Sequence, residues 1–75
     1  MDRERLGRRI KAFRKLKGYT QVDLAKALDI PVINLGDVER GKQQAPDQLL
    51  DQIANQLNIS KHELQGKAPA DEKEE

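Results

Sequence analysis

Residues 18–42 read GYTQVDLAKALDIPVINLGDVERGK, and this stretch decides the fold class. Its apolar residues recur at the three- and four-residue spacing of an amphipathic helix, and the pattern is interrupted once, at Asp29. Asp adopts the left-handed backbone conformation more readily than most residues, so the interruption predicts a tight turn between two short helices. Thr20 predicts an N-cap for the first helix, with Asp23 three residues on, and Gly41 predicts the end of the second.

The inner faces of these two helices are apolar, and the second begins with a proline. Pro31 fits the first turn of a helix, where its missing N–H costs nothing. A loop is expected over residues 41–45. The residues expected to face the core are Leu24, Ala25, Leu28, Leu35 and Val38.

The sequence on either side of this stretch predicts two more helices. One covers about residues 3–16 and is ended by Gly18, and the other is opened by Pro46 and Asp47 and ended by Asn58. The apolar residues at helical spacing in the two segments are Leu6, Ile10, Phe13 and Leu16, then Leu50, Ile53, Ala54 and Leu57.

A last short helix is expected at the end of the domain. Ser60 and Glu63 have the spacing of a capping box, and Leu64 follows them. The fold class is therefore all-α: a compact bundle of five short helices, forming one domain over residues 1–65. The remaining sequence, GKAPADEKEE, predicts a disordered acidic tail over residues 66–75.

Composition limits the class of protein. The 75 residues include no cysteine, which excludes a disulfide scaffold and the usual zinc spacings and fits a reducing compartment. No apolar run approaches the ~20 residues that span a bilayer, and no apolar block follows the basic N-terminus as in a secretory signal. We therefore expect a cytoplasmic protein with no membrane partner.

The net charge of +1 is the sum of two unequal parts. Residues 1–28 contain nine Lys or Arg and three Asp or Glu, which gives +6, whereas residues 29–75 contain five and ten, which gives −5. The basic part could attract a polyanion such as nucleic acid, or it could be an ordinary solvated helix face.

The same stretch resembles the Cro and phage-repressor family of helix-turn-helix proteins, also called Xre-like. The matching residues are Thr20, Gln21, Ala25, Ile30, Leu35, Val38, Glu39 and Gly41. The segments IKAFRKLKGYTQ and IANQLNIS are similar to the first and fourth helices of that family, so the resemblance covers about residues 5–65. Position 29 departs from the family, because it is usually glycine there and is Asp here.

The resemblance implies a fold and a function. The fold is a lambda-repressor-like DNA-binding domain with the helix-turn-helix over about residues 20–41. The function is sequence-specific regulation of transcription, as a repressor whose third helix reads the major groove of double-stranded DNA. Such a protein would belong to a bacterium or phage and lie at the nucleoid. The alternative is a protein-interaction module on the same scaffold, with weak or no DNA binding.

The resemblance also implies a structural pair and a dimer. Arg14 and Glu39 match the family pair that forms a partly buried salt bridge between the first and third helices. A homodimer on a two-fold site is expected. Leu57, Ile59 and Leu64 are candidates for its seam, although closing the core is the simpler role for at least two of them.

Four polar residues match positions that contact DNA in the family. Gln21 would reach a phosphate or a base edge, and Thr20 would offer its backbone or hydroxyl group to a phosphate. Arg40 and Lys42 match positions that contact the DNA backbone. Gln21 could instead be an exposed residue at a helix start, and Arg40 and Lys42 could be ordinary surface cations.

The base-reading positions are unusual in this chain. By the resemblance they are Pro31, Val32, Ile33, Gly36 and Asp37, with Asn34 among them. Relatives often carry Gln, Ser, Arg or Thr there. Here Asn34 could bond adenine, Asp37 could accept from a cytosine amine, and the two β-branched residues could pack on thymine methyl groups. Since the loop after Gly41 is also poor in cations, affinity and its salt dependence should be modest.

Three explanations for this apolar, acidic surface stay open. The protein could be a regulator of thymine-rich sites that binds weakly and is helped by dimerisation. It could present Val32, Ile33 and the neighbourhood of Leu28 to another protein. Alternatively, Val32 and Ile33 could be buried, because the third helix is rotated from the expected register.

No catalytic, metal or cofactor site is expected. His62 lies in the last short helix and fits an exposed residue, while Ser60 is explained as an N-cap. No Gly-rich loop resembles a phosphate-binding loop. The carboxylates of residues 71–75 fit a solubilising tail, and no Cys and His cluster exists for zinc.

Overall fold

A computed structural model describes residues 2–66 of the chain, and the expected tail from residue 67 onward lies outside the described residues. The described part contains five helices and no strand. They are α1 (Arg3–Leu16), α2 (Gln21–Leu28), α3 (Val32–Glu39), α4 (Asp47–Leu57) and α5 (Lys61–Gln65). The all-α class and the number of helices are as the sequence predicts.

Local signals set the helix ends. The Thr20 hydroxyl accepts from the Asp23 N–H at 3.0 Å, and Ser60 and Glu63 complete a capping box. Asp29 and Asn58 both adopt the left-handed conformation, with φ of 58° and 59°. The N-cap, the capping box and the turn at Asp29 are therefore confirmed, and Asn58 ends α4 as predicted.

The two prolines stand one position before the first helical residue of α3 and α4. Pro31 is the N-cap of α3, with ψ of 141°, and Pro46 is the N-cap of α4. Pro31 was expected within the first turn, so the helix starts one residue later than predicted. Its extended ψ keeps it outside the helix, while its carbonyl oxygen accepts from the N–H of Asn34 and of Leu35.

One core serves all five helices. Its buried apolar residues are Leu6, Ile10, Leu24, Ala25, Leu28, Leu35, Val38, Ala45, Leu50, Ile53, Ala54, Leu57 and Leu64. Of the three candidates for a dimer seam, Leu57 and Leu64 are buried and Ile59 packs against the core. Closing the core is therefore the role of at least two of them.

The C-terminal end of α1 differs from the predicted apolar face. Leu16 was grouped with Leu6, Ile10 and Phe13, but 74% of it is exposed. It lies six positions after Ile10, and steps of about 100° per residue turn it away from the core. Arg14, four residues after Ile10, lies on the buried face instead.

Helices α1 and α3 approach so closely that only glycine fits between them. A Cβ on Gly7 would overlap the carbonyl oxygen of Glu39 and stand 2.5 Å from that of Val38. Because both obstacles are backbone atoms, no side-chain adjustment could relieve the contact. Gly7 thus lets the end of α3 lie directly on α1, and nothing in the sequence pattern marks it.

Helix α5 is joined to α4 by ion pairs at its first residue. Lys61 forms ion pairs with Asp47 and Asp51 on α4, at 2.5 Å and 3.4 Å. The hydrogen bond with Asp47 is the main reason that the pKa of Lys61 lies above its ordinary value of 10.5. Asp51 adds to this effect, and desolvation works against it.

Within residues 2–66 every helix is too short or too polar to cross a membrane. The longest, α1, has 14 residues and carries seven of them as Lys or Arg.

Candidate nucleic-acid interface

The helix-turn-helix is fixed to α1 by a buried salt bridge. Arg14 Nε donates to Glu39 Oε2 at 2.7 Å, and Nη2 donates to Glu39 Oε1 at 3.2 Å. Arg14 Nη1 donates to the Tyr19 carbonyl oxygen at 2.9 Å. The pair implied by the family resemblance is thus present. It holds the end of α3 against α1 and so sets the direction in which α3 points.

Gln21 extends this network to the first residue of α2. Its Nε2 donates to Glu39 Oε1 at 3.0 Å, so Glu39 accepts from side chains of both α1 and α2. The Thr20 hydroxyl is already used as the N-cap acceptor. The two residues expected to reach DNA from this end are therefore held by the fold. Gln21 is half-buried and keeps its amide oxygen for a further bond.

The first turn of α3 is exposed. Residues 31–34 all lie on the surface, with Val32 exposed by 42% and Ile33 by 66%. This finding overturns the explanation in which the third helix is rotated and these two side chains are buried. The physical reason is the register set by Leu35 and Val38, which are fully or almost fully buried on the opposite face.

The rest of the recognition surface is polar and tightly arranged. Arg40 Nη2 donates to Asp37 Oδ1 at 2.7 Å. The carboxylate that the sequence places on α3 is therefore paired with a cation. Gly36, expected as a base-reading position, is buried, and the Arg40 and Gln21 side chains lie where its side chain would extend. Lys42 is exposed just beyond the helix.

Two arginines of the basic N-terminal part serve the fold. Arg14 is buried with Glu39, and Arg9 caps α5 by donating to the carbonyl oxygens of Leu64 at 3.0 Å and Glu63 at 2.7 Å. The Arg9 guanidinium also lies 5.7 Å from the centre of the Phe13 ring. The charge excess of residues 1–28 is therefore not all available to DNA. Only tertiary contacts reveal this role of Arg9.

Besides this surface, residues 2–66 contain one histidine and a groove beside α3. Among residues 2–66, no group of His, Asp and Glu could hold a metal ion. His62 lies on α5, and Ser60 is the N-cap of that helix. A groove between α3 and α4 has a volume of about 260 Å³. It is lined by Ile30, Asn34, Val38, Gln43, Pro46, Gln48, Leu49 and Gln52, and it has no charged residue in its wall.

Comparison with known proteins gives one consistent result. A family model described as "Helix-turn-helix" matches residues 10–64. The uncharacterized HTH-type transcriptional regulator YazB of Bacillus subtilis is 53% identical over 64 residues, which cover 85% of this chain and 93% of that protein. The HTH-type transcriptional regulator SinR of Bacillus subtilis is 37% identical over 60 residues, which cover 79% of this chain. The chain spans about half the length of SinR, with 54% of it covered.

Solved structures of regulators have the same fold. The restriction-modification controller protein C.AhdI from Aeromonas hydrophila aligns with a TM-score of 0.80 and 30% identity, over 84% of this chain and 96% of that chain. The clp gene regulator ClgR from Corynebacterium glutamicum aligns with a TM-score of 0.82 and 31% identity, over 85% of this chain and 68% of that chain.

Proposed function

This chain belongs to the helix-turn-helix family of DNA-binding transcriptional regulators, and we propose that it acts by placing the first turn of α3 in the major groove. Members of this family are regulators and not enzymes. The observation that carries the proposal is the exposed first turn of α3, held in a fixed direction by the buried Arg14–Glu39 pair. A bound domain excludes other proteins from its site, so repression is the simplest outcome.

The contacts to the DNA backbone come from both ends of the motif. Thr20 and Gln21 lie at the start of α2, where unpaired backbone N–H groups favour a phosphate. Lys42 lies beyond the end of α3 and supplies a cation to the backbone, whereas Arg40, which was expected there as well, is paired with Asp37 on α3. These contacts position the domain without reading sequence.

The base contacts come from the exposed turn. Val32 and Ile33 present apolar surface that suits the methyl group of thymine, and Asn34 can donate to and accept from adenine. Pro31 lies at the start of this turn and gives it a fixed backbone shape. An apolar contact discriminates less strongly than a bidentate hydrogen bond. The proposed sites are therefore rich in thymine, and single domains bind them modestly.

Binding as a homodimer on a two-fold site would compensate for this modest affinity. Leu57 and Leu64 are buried and cannot form the dimer seam. The proposed location is the cytoplasm of a bacterium, in association with the nucleoid. It is supported by relatives that come from Bacillus and by the DNA partner.

The second candidate is a protein partner that covers the same turn. The exposure of Val22, Val32 and Ile33, at 48%, 42% and 66%, favours it. Leu28 is buried, so the apolar surface available to a partner is smaller than the sequence suggested.

One pair of substitutions separates the two candidates. Duplexes are first enriched from a pool of genomic fragments with the whole chain, and affinity is then measured by fluorescence anisotropy at two salt concentrations. The double variant Val32→Ser, Ile33→Ser is expected to bind the enriched duplex about 10-fold more weakly or worse, because two apolar base contacts are lost. Its melting temperature should stay near that of the unchanged chain, because both side chains are exposed.

Leu16→Ser is the matched control, since Leu16 is an exposed apolar residue on α1, outside the motif. It should leave both affinity and melting temperature unchanged. Unaltered DNA binding in the double variant would favour the protein partner. A failure of the whole chain to enrich any duplex, even at low salt, would contradict the DNA-reading role of α3.

A further inference from the structure

The Arg40 side chain folds back over α3 instead of extending past its end. Its Nη2 reaches Asp37, three residues earlier, at 2.7 Å. Its Nη1 and Nη2 lie 3.1 Å and 3.5 Å from the point where a Cβ on Gly36 would stand. The guanidinium therefore occupies the space of a side chain at position 36, one turn before its own backbone.

We propose that Arg40 reads a guanine through this position, with Asp37 and Gly36 as its positioning residues. The inference rests on the proposed function and deepens it, because it assigns a base contact to a residue expected at the DNA backbone. Position 36 is one of the base-reading positions of the motif, and glycine there has no side chain to read with. Arg40 supplies the missing side chain from the next turn.

Asp37 makes a base the better target than a phosphate. Beside a carboxylate at 2.7 Å, the positive charge of Arg40 is largely balanced, and the same carboxylate repels a phosphate. Guanine presents two neutral acceptors, O6 and N7, in the major groove, and a guanidinium can donate to both at once. Hydrogen bonding to neutral acceptors depends more on geometry than on net charge. The ion pair with Asp37 therefore weakens the bonds from Arg40 to guanine only slightly.

Asp37 also fixes the orientation of the guanidinium. A free arginine has many rotamers, whereas this one is held at Nη2 while 54% of the side chain stays exposed. The bond uses one of the five N–H groups of the guanidinium, so a pair of donors is left for a base. A side chain whose rotamer is already fixed loses less conformational entropy when it binds.

Gly36 provides the space, and Gln21 forms the other side of it. The Gln21 Oε1 atom lies 3.5 Å from the same Cβ point, while its Nε2 is held by Glu39. The guanidinium therefore lies next to a side chain that the fold itself holds in place. A Cβ at position 36 would stand 3.1 Å from Nη1, closer than ordinary van der Waals contact, so the guanidinium would have to shift by a few tenths of an ångström.

The test compares base preferences, not only affinities. The whole chain selects duplexes from a random pool, and the same selection is repeated with Arg40→Ala, Asp37→Asn, Gly36→Ala and, as control, Lys42→Ala. The unchanged chain should require a G·C pair at one position of each half-site. Arg40→Ala should lose that preference, which is worth roughly 5- to 150-fold in relative affinity, and keep the preferences at other positions.

The positioning residues have their own signatures. Asp37→Asn should weaken the guanine preference at that same position while affinity for unrelated DNA rises, because a negative charge is removed and the cation is released. Gly36→Ala should weaken the same preference with no loss of thermal stability. Lys42→Ala should weaken binding to all duplexes alike and reduce the salt slope by about one.

Three results would overturn the inference. If Arg40→Ala behaved like Lys42→Ala, Arg40 would be a backbone contact, and the proposed function would stand without it. If the selected site contained no required G·C pair, Arg40 would read no guanine. If the unchanged chain selected no sequence at all, the proposed function itself would fail, and the inference with it.

Discussion

Arg14 is a buried cation, with 6% of the residue exposed. All three of its side-chain nitrogens donate hydrogen bonds. Glu39, 4% exposed, accepts from both Arg14 and Gln21. Among the described residues, no buried side-chain nitrogen or oxygen lacks a partner. A complete buried network of this kind adds direction more than stability, because desolvation offsets much of the attraction. Its use here is to hold α3 at one angle to α1.

Removing one member of the pair leaves the other buried and uncompensated. Arg14→Ala should therefore lower the free energy of unfolding by about 3–5 kcal/mol, as measured by urea denaturation followed by circular dichroism. Arg8→Ala is the matched control, since Arg8 is exposed on the same helix, and it should change the value by less than about 0.5 kcal/mol. Equal effects of the two substitutions would show that the buried pair contributes nothing particular.

At the scale of elements, short-range chemistry predicts where each helix begins and ends to within about one residue, but the rotation and the contacts of a helix depend on its neighbours. The end of α3 rests on Gly7 of α1 by backbone contact, whereas Gly36, on the outer side of α3, lies beneath the ends of the Arg40 and Gln21 side chains. The two glycines share a residue type and a helical setting. They differ in what lies opposite them, and this difference gives them opposite roles.

The two glycines should respond differently to the same substitution. Gly7→Ala should lower the free energy of unfolding by about 1–3 kcal/mol, since the Cβ meets backbone carbonyl groups that cannot move away. Gly36→Ala should hold stability or raise it by up to about 1 kcal/mol, because alanine favours helix and the tip of Arg40 can move aside. Denaturation of the two variants side by side tests this. A stabilising Gly7→Ala would mean that α1 and α3 are not in close contact.

For the whole molecule, the distribution of charge determines how strongly the domain is drawn to DNA. Much of the basic excess lies on α1, where Arg9 and Arg14 are engaged by the fold. On the motif itself, three cations occur in residues 20–42: Lys26, Arg40 and Lys42. Arg40 is paired with Asp37. We therefore expect the attraction of the domain to phosphates to be weak.

The salt dependence of specific binding should accordingly be shallow. Each phosphate contact contributes about −0.9 to the slope of log affinity against log salt, so two or three contacts give roughly −2 to −3 per domain. Anisotropy titrations over a series of salt concentrations measure this slope. Lys11→Ala and Lys15→Ala, exposed on α1, should leave it unchanged. A slope steeper than about −6 would show that α1 also binds the backbone.

The sequence by itself determined what depends on neighbours along the chain. The caps at Thr20 and Ser60, the left-handed turn at Asp29 and the helix end at Asn58 followed from local signals. The apolar spacing predicted the core, except at Leu16, which is exposed, and at Ala45, a buried loop residue that the spacing did not indicate. The spacing of the motif indicated the family, because residues 18–42 contain both helices and the turn between them.

Tertiary structure alone decided which side chains share a space. The close approach at Gly7, the capping of α5 by Arg9 and the folding of Arg40 over Gly36 join atoms whose positions depend on helix crossings and rotations. Such contacts produce no periodic pattern in the sequence, because each involves single residues at a point where two elements meet. The candidate surface could therefore be located from the sequence, whereas the pairing of Asp37 with Arg40 could only be seen in the folded chain.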